Sequence, residues 1–139
     1  MPPAGLIDTG AILALINRRD SWHAACLEAY EQAQLPLLTS EAVLTETLHL
    51  SQRHLRQIRP VWTLVRSGAI QMLTIDNEEL PFIQKLMEDY ADCPMDFADA
   101  TLVHLAAREG ISTILTIDRD DFSTYRLPGR KKFTIFPQP

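Results

Sequence analysis

The sequence contains few cysteines, no long apolar run and no excess of positive charge, and each absence excludes a class of protein. Cys26 and Cys93 are too few and too far apart for a disulfide framework or a zinc ribbon, so we interpret both as thiols in a reducing cytoplasm. No apolar stretch approaches the length of a membrane span, and the N-terminus lacks the basic start of a secretion signal. We therefore expect a cytoplasmic protein without membrane contacts.

The net charge of −5 argues mildly against a protein that binds nucleic acid through bulk electrostatic attraction. It does not exclude a nuclease, because bound cations would offset the charge of an acidic metal site. Basic residues are clustered at 53–59 and 126–132, and each cluster alone is typical of a solvated surface. Their charge is available to phosphates, and Arg53 and Arg56 are candidate substrate-binding residues.

A chain of 139 residues that is 46% apolar fits one compact domain with a sizeable core. No repeat or linker divides it, so we expect a single domain over residues 1–139. Short apolar runs alternate with longer amphipathic segments, which favours a parallel sheet covered by helices on both faces.

The predicted strands cover residues 4–8, 35–39, 70–75 and 113–117, with a possible fifth at 133–136. The predicted helices cover residues 11–16, 21–34, 41–50, 60–67, 77–90 and 96–108. Asp20, Ser40 and Asp76 precede three of these helices as predicted N-caps. Asp120 or Asp121 is expected to cap a further short helix.

Asp8 and Asp118 each stand directly after a short apolar run, at the end of a predicted strand. Sites in parallel α/β sheets form at the carboxyl ends of the strands, so both side chains fall where such a site is expected. Each could also cap the following helix, and for Asp8 alone that is the commoner role. Thr9 and Thr116 lie beside these acids and could hold a ligand or a water molecule by hydrogen bonding.

Asp96 and Asp99 are three residues apart, so they lie on the same side of the helix that they open. The helix dipole favours acids in a first turn, which is the structural explanation of this pair. Two like charges at the inner end of a buried helix nevertheless require a counter-charge, and oxygen ligands favour Mg²⁺ or Mn²⁺. Glu46, among the leucines of the third helix, could face solvent or contribute to the same site.

Such a set of carboxylates predicts hydrolysis of a phosphodiester. A phosphodiester is anionic and repels hydroxide, so a metal has to neutralise its charge and lower the pKa of a bound water. A second metal, if present, can stabilise the leaving oxygen. Carboxylates bind such ions while leaving coordination positions for water and phosphate.

Four segments together resemble the PIN-domain family and, within it, the VapC-type toxins of bacterial toxin–antitoxin pairs. They are residues 6–15 (LIDTGAILAL), 45–46 (TE), 94–103 (PMDFADATLV) and 114–122 (ILTIDRDDF). Each segment is weak alone, but their order and spacing are specific and span nearly the whole chain. The resemblance implies a three-layer α/β/α sandwich with four to five short, mostly parallel strands, and Mg²⁺- or Mn²⁺-dependent ribonuclease activity.

By this resemblance, Asp8 and Asp99 are the central metal ligands, and Asp96 and Asp118 are further ligands, directly or through water. Glu46 completes the ligand set or orients a water. Between Asp96 and Asp99 we favour Asp99 as the nearer ligand, because it precedes an alanine-rich buried turn as the family's aspartate does. The resemblance also implies an RNA substrate, a separately encoded antitoxin as partner, and a homodimer.

Three other functions stay open from the sequence. Another PIN-domain nuclease, such as an RNA-processing enzyme without a toxin role, would share the chemistry and differ in substrate and partner. A non-catalytic binding module would use the acids as helix caps, although the intact acid set argues against it. A metal-dependent phosphatase would usually require a nucleophilic aspartate in a phosphatase-type motif, and we find no such motif.

Overall fold

The computed structural model describes residues 4–138 and contains one five-stranded parallel sheet. The strands of this part of the chain are all short: β1 (Ala4–Ile7), β2 (Gln34–Thr39), β3 (Ile70–Met72), β4 (Thr113–Leu115), β5 (Arg126–Leu127), β6 (Lys131–Lys132) and β7 (Thr134–Phe136). The sheet has the order β3-β2-β1-β4-β7, and every neighbouring pair is parallel. Strands β5 and β6 form a separate antiparallel pair.

The helices alternate with the strands along the chain. They are α1 (Thr9–Ile16), α2 (His23–Gln32), α3 (Glu41–Leu50), α4 (Arg59–Arg66), α5 (Leu80–Asp89), α6 (Phe97–Glu109) and α7 (Arg119–Thr124). A π-helical turn at Ser51–Leu55 extends α3, and a 3-10 turn at Asn77–Glu79 precedes α5. Within residues 4–138, every helix falls short of what a membrane crossing requires in length and apolar character.

The centre of the sheet is covered on both faces. Leu6 and Ile7 in β1 are fully buried, and successive residues of a strand point to opposite faces of its sheet. Ile114 in the neighbouring strand β4 is fully buried as well. Helices α1 and α3 pack against each other, as do α5 and α6, and the predicted α/β fold with a central parallel sheet flanked by helices is confirmed.

The strand order places a topological switch point between β1 and β4. From β1 the chain proceeds outward to β2 and β3, and it then returns to the other side of β1 to form β4 and β7. The connections therefore diverge at the carboxyl ends of β1 and β4, where such sheets form a crevice. Asp8 directly follows β1, and Asp118 lies shortly after β4.

Several boundaries differ from those predicted. The predicted third and fourth strands end early, at Met72 and Leu115. Asp20 does not cap α2, because its Oδ1 accepts the N–H of Trp22 (2.8 Å) in a turn that comes before the helix. The N-cap at Ser40 is confirmed, since its Oγ accepts a hydrogen bond from within the first turn of α3.

Candidate metal centre

An open cleft of about 490 Å³ lies at the carboxyl ends of β1 and β4. Six acidic residues line it: Asp8, Glu46, Asp96, Asp99, Asp118 and Asp121. The first five are those predicted from the sequence, and the fold brings them together from four separate parts of the chain. Within residues 4–138, no lysine, arginine or histidine lines this cleft. The acids therefore have no counter-ion of their own there.

Asp8 is both the N-cap of α1 and a buried side chain of the cleft. Its Oδ1 accepts a hydrogen bond from the Thr9 N–H (2.6 Å), and its Oδ2 accepts one from the Thr116 hydroxyl (2.9 Å). Only 7% of Asp8 is exposed, and burial raises the pKa of its carboxyl from 3.8 to about 6. The two hydrogen bonds oppose this rise, whereas the charges of Glu46 and Asp118 add to it. Asp8 therefore caps α1 and also belongs to the acidic cluster.

Two threonines support these acids. The fully buried Thr116 hydroxyl donates to Asp8 and accepts a hydrogen bond from the Asp118 N–H (3.0 Å), so it joins the two strand-end acids. Thr9 Oγ1 is buried and has no hydrogen-bond partner among the residues that the structure describes. A buried hydroxyl is seldom left unpaired, so Thr9 Oγ1 is suited to a water molecule or a ligand oxygen.

The two acids at the start of α6 have different environments. Asp96 is exposed and caps the helix, because its Oδ1 accepts the Asp99 N–H (2.8 Å). Asp99 is only 9% exposed, and its Oδ2 accepts a hydrogen bond from the Tyr125 hydroxyl (2.9 Å). Burial raises the pKa of the Asp99 carboxyl from 3.8 to about 7, and the nearby charges of Asp8 and Asp96 contribute to the rise.

Asp118 and Asp121 repeat this arrangement at the start of α7. Asp118 Oδ1 accepts the Asp121 N–H at 3.4 Å, so Asp118 caps the helix. Burial, reinforced by Asp118, raises the pKa of the Asp121 carboxyl from 3.8 to about 6. Carboxylate oxygens of Asp99, Asp118 and Asp121 lie within 4.8 Å of one another. Three oxygens at this separation are close enough for one divalent cation to contact them all.

The sequence predicted Asp120 or Asp121 as the cap of this helix, which is wrong because Asp118 is its N-cap, and Asp121 was not predicted as a site residue. The signal that could have identified it is the spacing, because Asp118 and Asp121 are three residues apart, as are Asp96 and Asp99. In both pairs the first acid caps a helix and the second lies in its first turn. The repeated spacing therefore marks two helix starts that meet at the same cleft.

The remaining predicted residues lie at the edge of the cleft or outside it. Glu46 is half-buried on α3 and lines the cleft, although it is not one of the three acids with close oxygens. Arg53 and Arg56 are exposed in and after the π-helical turn, and neither lines the cleft. Gly10 was not predicted as a site residue. A Cβ there would lie 2.7 Å from Ile117 Cγ1, so any other residue would require the Ile117 side chain to move.

The donor set fits a hard divalent cation. All candidate ligand atoms are carboxylate or hydroxyl oxygens, which Mg²⁺ and Mn²⁺ prefer over softer metals. The raised pKa values of Asp8 and Asp99 show acids that are buried together without compensating positive charge. A bound cation would favour their ionised forms and so reverse this effect. The residues present are therefore compatible with a Mg²⁺ or Mn²⁺ centre.

One family profile and one relative match most of the sequence. The profile of the PIN domain matches residues 5–127. Ribonuclease VapC26 of Mycobacterium tuberculosis is 31% identical over 134 residues, which cover 95% of this chain and 99% of that protein.

Two solved structures have a similar fold. The crystal structure of VapC20 from Mycobacterium tuberculosis, described as a Sarcin-Ricin loop cleaving toxin, aligns with a TM-score of 0.77 at 20% identity and covers 85% of this chain and 92% of that one. A toxin–antitoxin complex from Klebsiella pneumoniae aligns with a TM-score of 0.68 at 17% identity, and the alignment covers 91% of this chain and 94% of that one. At these identities the likeness concerns the fold alone.

Proposed function

Because the chain belongs to the PIN-domain family, and within it to the VapC-type proteins, we propose that it is a Mg²⁺- or Mn²⁺-dependent endoribonuclease. The observation that carries the proposal is the group of Asp99, Asp118 and Asp121, whose carboxylate oxygens lie within 4.8 Å of one another in a cleft without basic side chains among the described residues. In this proposal, residues 1–139 act as a single domain in the cytoplasm.

Each acid of the cleft has a role in the proposed reaction. Asp8, which accepts a hydrogen bond from Thr116, and Asp99 are the central metal ligands, and Asp118 and Asp121 are further ligands. Asp96 orients the first turn of α6 and acts on the ion through water. Glu46, at the edge of the cleft, orients the attacking water.

The chemistry requires both the ion and the chain. A divalent cation, when bound, offsets the charge of the scissile phosphate and lowers the pKa of a water molecule. The chain keeps the carboxylates fixed by hydrogen bonds from Thr116 and Tyr125, so little rearrangement is needed when substrate binds. Thr9 Oγ1 supplies an additional hydrogen-bonding group for water at the same place.

We assign Arg53 and Arg56 to substrate binding. Leu50, the last residue of α3, lines the cleft, and the π-helical turn that carries Arg53 begins at the next residue. Both arginines are exposed, so their charge is accessible to the phosphates of a bound RNA strand.

Cleavage of a fluorescently labelled RNA tests the proposal. Asp99→Asn and Asp8→Asn should each lower the rate at least about a thousandfold, because metal-borne charge stabilisation amounts to several kcal/mol of the barrier. Both variants should fold. Asp120→Asn is the matched control, since Asp120 is exposed on the same helix as Asp121 and does not line the cleft. Undiminished cleavage by either variant, or cleavage that persists in EDTA, would contradict the proposal.

We further propose that the chain acts as the toxin of a toxin–antitoxin pair, with RNA as substrate and a separately encoded antitoxin as partner. The support comes from relatives, because one solved structure is described as a toxin and another as a toxin–antitoxin complex. Expression of the chain alone should arrest growth, and a small protein from the neighbouring reading frame should relieve the arrest. Harmless expression with intact nuclease activity would instead favour an RNA-processing enzyme.

The proposed assembly is a homodimer. Three exposed apolar side chains on α5 and at the start of α6 support it, namely Leu80, Phe82 and Phe97, which are 43%, 63% and 47% exposed. Leu80 and Phe97 line one surface pocket together, and exposed large apolar side chains that lie close together are typical of interaction surfaces. A monomeric mass in analytical ultracentrifugation would contradict this assembly.

A further inference from the structure

Tyr125 connects two of the three close acids, although it lies outside the cleft. It follows the last residue of α7 and is fully buried. Its hydroxyl donates a hydrogen bond to Asp99 Oδ2 (2.9 Å), and its backbone N–H donates one to the Asp121 carbonyl (3.1 Å). One residue thus contacts the start of α6 with its side chain and the acidic turn of α7 with its backbone.

Aromatic packing fixes the Tyr125 ring. The rings of Tyr90 and Phe122 each meet it edge to face with centroids 5.2 Å apart. Phe122 in turn meets Phe133 edge to face at 5.5 Å. Edge-to-face contacts stabilise one ring orientation, and burial prevents water from replacing the hydroxyl as the partner of Asp99. The position of the Tyr125 hydroxyl is therefore set by the core.

Asp99 depends on this hydroxyl for its orientation. Among the described residues, Tyr125 is the only donor to its carboxylate, and the second carboxylate oxygen accepts no hydrogen bond from them. The separation of Asp99 from Asp118 and Asp121 depends on how the starts of α6 and α7 are placed, since Asp99 lies in the first turn of α6 and the other two acids lie at the start of α7. Partners that orient ligands in this way tune metal affinity.

We propose that Tyr125 is a positioning residue of the metal centre, which holds the Asp99 carboxylate at a fixed place relative to the acids of α7. This inference rests on the proposed function, because it assumes that the cleft binds a divalent cation. Tyr125 contacts neither RNA nor the ion in this role and acts only through Asp99.

Binding of Mn²⁺ alone, measured by electron paramagnetic resonance of the free ion, tests the inference. Tyr125→Phe removes one hydroxyl and keeps the ring, and it should weaken Mn²⁺ binding about tenfold. Tyr90→Phe is the matched control, because the Tyr90 hydroxyl belongs to the same aromatic cluster but accepts a hydrogen bond from the Arg126 N–H (2.8 Å) instead of holding an acid. The control should bind Mn²⁺ like the wild type. Thermal unfolding in EDTA checks that both variants fold.

A measurement on the wild-type chain covers the case in which Tyr125→Phe does not fold. The chain has three tyrosines, so ¹³Cζ labelling gives three resonances, which Tyr30→Phe and Tyr90→Phe assign by elimination. Saturating Mg²⁺ should shift the Tyr125 resonance and leave that of Tyr30 unchanged. An unmoved Tyr125 resonance, or equal Mn²⁺ affinity in a folded Tyr125→Phe variant, would overturn this inference alone. A wild-type chain that binds no Mn²⁺ would overturn the proposed function together with it.

Discussion

Two groups of charged side chains lie at opposite ends of helix α6, and they differ in how their charge is compensated. Near its C-terminal end, Glu79 Oε1 accepts hydrogen bonds from Arg108 Nη1 and His104 Nε2, both at 2.8 Å. The Asp76 N–H also donates to the Glu79 carboxylate, and these hydrogen bonds lower its pKa to about 2. At the N-terminal end, burial raises the pKa of Asp99 to about 7.

The difference separates a cluster whose charge is compensated by its own cation from one whose charge is not. Arg108 also donates to the Thr74 carbonyl (2.7 Å), so the Glu79 cluster joins the segment before α5 to α6 and contains its own cation. The cleft at the other end of α6 contains acids without a basic side chain among the described residues. Of the two clusters, the cleft is therefore the one whose ionised acids an external cation would stabilise.

Giving the cleft a cation of its own should have the largest effect. Glu46→Lys places an ammonium group among the acids and removes a charge that raises the pKa of Asp8. We expect cleavage to fall at least about a thousandfold, because the ammonium replaces charge that a metal would otherwise supply. The midpoint of thermal unfolding in EDTA should rise, since the repulsion between the acids is relieved.

Thr45→Lys is the control for this change, because Thr45 is exposed on the same helix and does not line the cleft. It should leave both cleavage and unfolding near wild-type values. Wild-type cleavage by the Glu46→Lys variant would show that the reaction takes place elsewhere on the molecule.

The pH dependence of stability should differ in sign between the two clusters. The pKa values of Asp8 and Asp99 are raised from 3.8 to about 6 and about 7. Their contribution to the free energy of unfolding is therefore fully present below pH 3.8 and is lost as the pH rises through the two raised pKa values. The pKa of Glu79 is lowered from 4.5 to about 2, so its contribution is present above pH 4.5 and is lost as the pH falls toward 2. In EDTA, the midpoint of thermal unfolding should therefore fall as the pH rises toward neutral and also as the pH falls toward 2.

Thermal unfolding measured across pH gives a profile with an acidic limb, where stability falls toward pH 2, and a neutral limb, where it falls toward pH 7. Two variants and one ion distinguish the two limbs. Asp99→Asn should flatten the decline toward neutral pH and leave the acidic limb unchanged. Glu79→Gln should do the reverse and keep the cleavage rate within about twofold of the wild type, because the two clusters are independent. Saturating Mg²⁺ should also flatten the neutral limb, since the ion binds the ionised acids. A neutral limb unaffected by both Asp99→Asn and Mg²⁺ would contradict the assigned electrostatics.

The exposed arginines outside both clusters should have the smallest effect. Arg53→Gln and Arg56→Gln should each raise KM about twofold to threefold and weaken its salt dependence, because one phosphate contact is lost. The value of kcat should not change. Arg66→Gln is a control on α4, where Arg66 is also exposed. Equal KM values in all three variants would show that Arg53 and Arg56 do not bind the substrate.

The helix starts of the site were predictable because their causes are local. Asp8, Asp96 and Asp118 each follow or precede a recognisable apolar segment, and each caps its helix through a backbone N–H within three residues. Asp76 was predicted as an N-cap for the same reason, and the structure confirms it as part of a capping box with Glu79. What the residue pattern did not show is that capping and clustering occur together in the same side chains.

Contacts between distant residues were not predictable from the pattern. The Tyr125 hydroxyl meets an acid 26 residues away, and the hydrogen bond from Thr116 to Asp8 spans 108 residues. Strands β5 and β6 have two residues each, which is too short for the alternation that identifies a strand. The roles of Arg53 and Arg56 stay predictions, since neither side chain lines the cleft.

The sequence by itself determined the α/β class, the family resemblance and the identity of five acids, because apolar periodicity, helix caps and motif spacing are encoded within short stretches of chain. The tertiary structure alone decided which acids meet closely, that Asp121 is one of them, and which hydroxyls hold them. Those properties follow from strand order, which brings the carboxyl ends of β1 and β4 together, and from the packing of α6 against its neighbours. Charge compensation depends on such distances, so only the fold separates the uncompensated cleft from the Glu79 cluster.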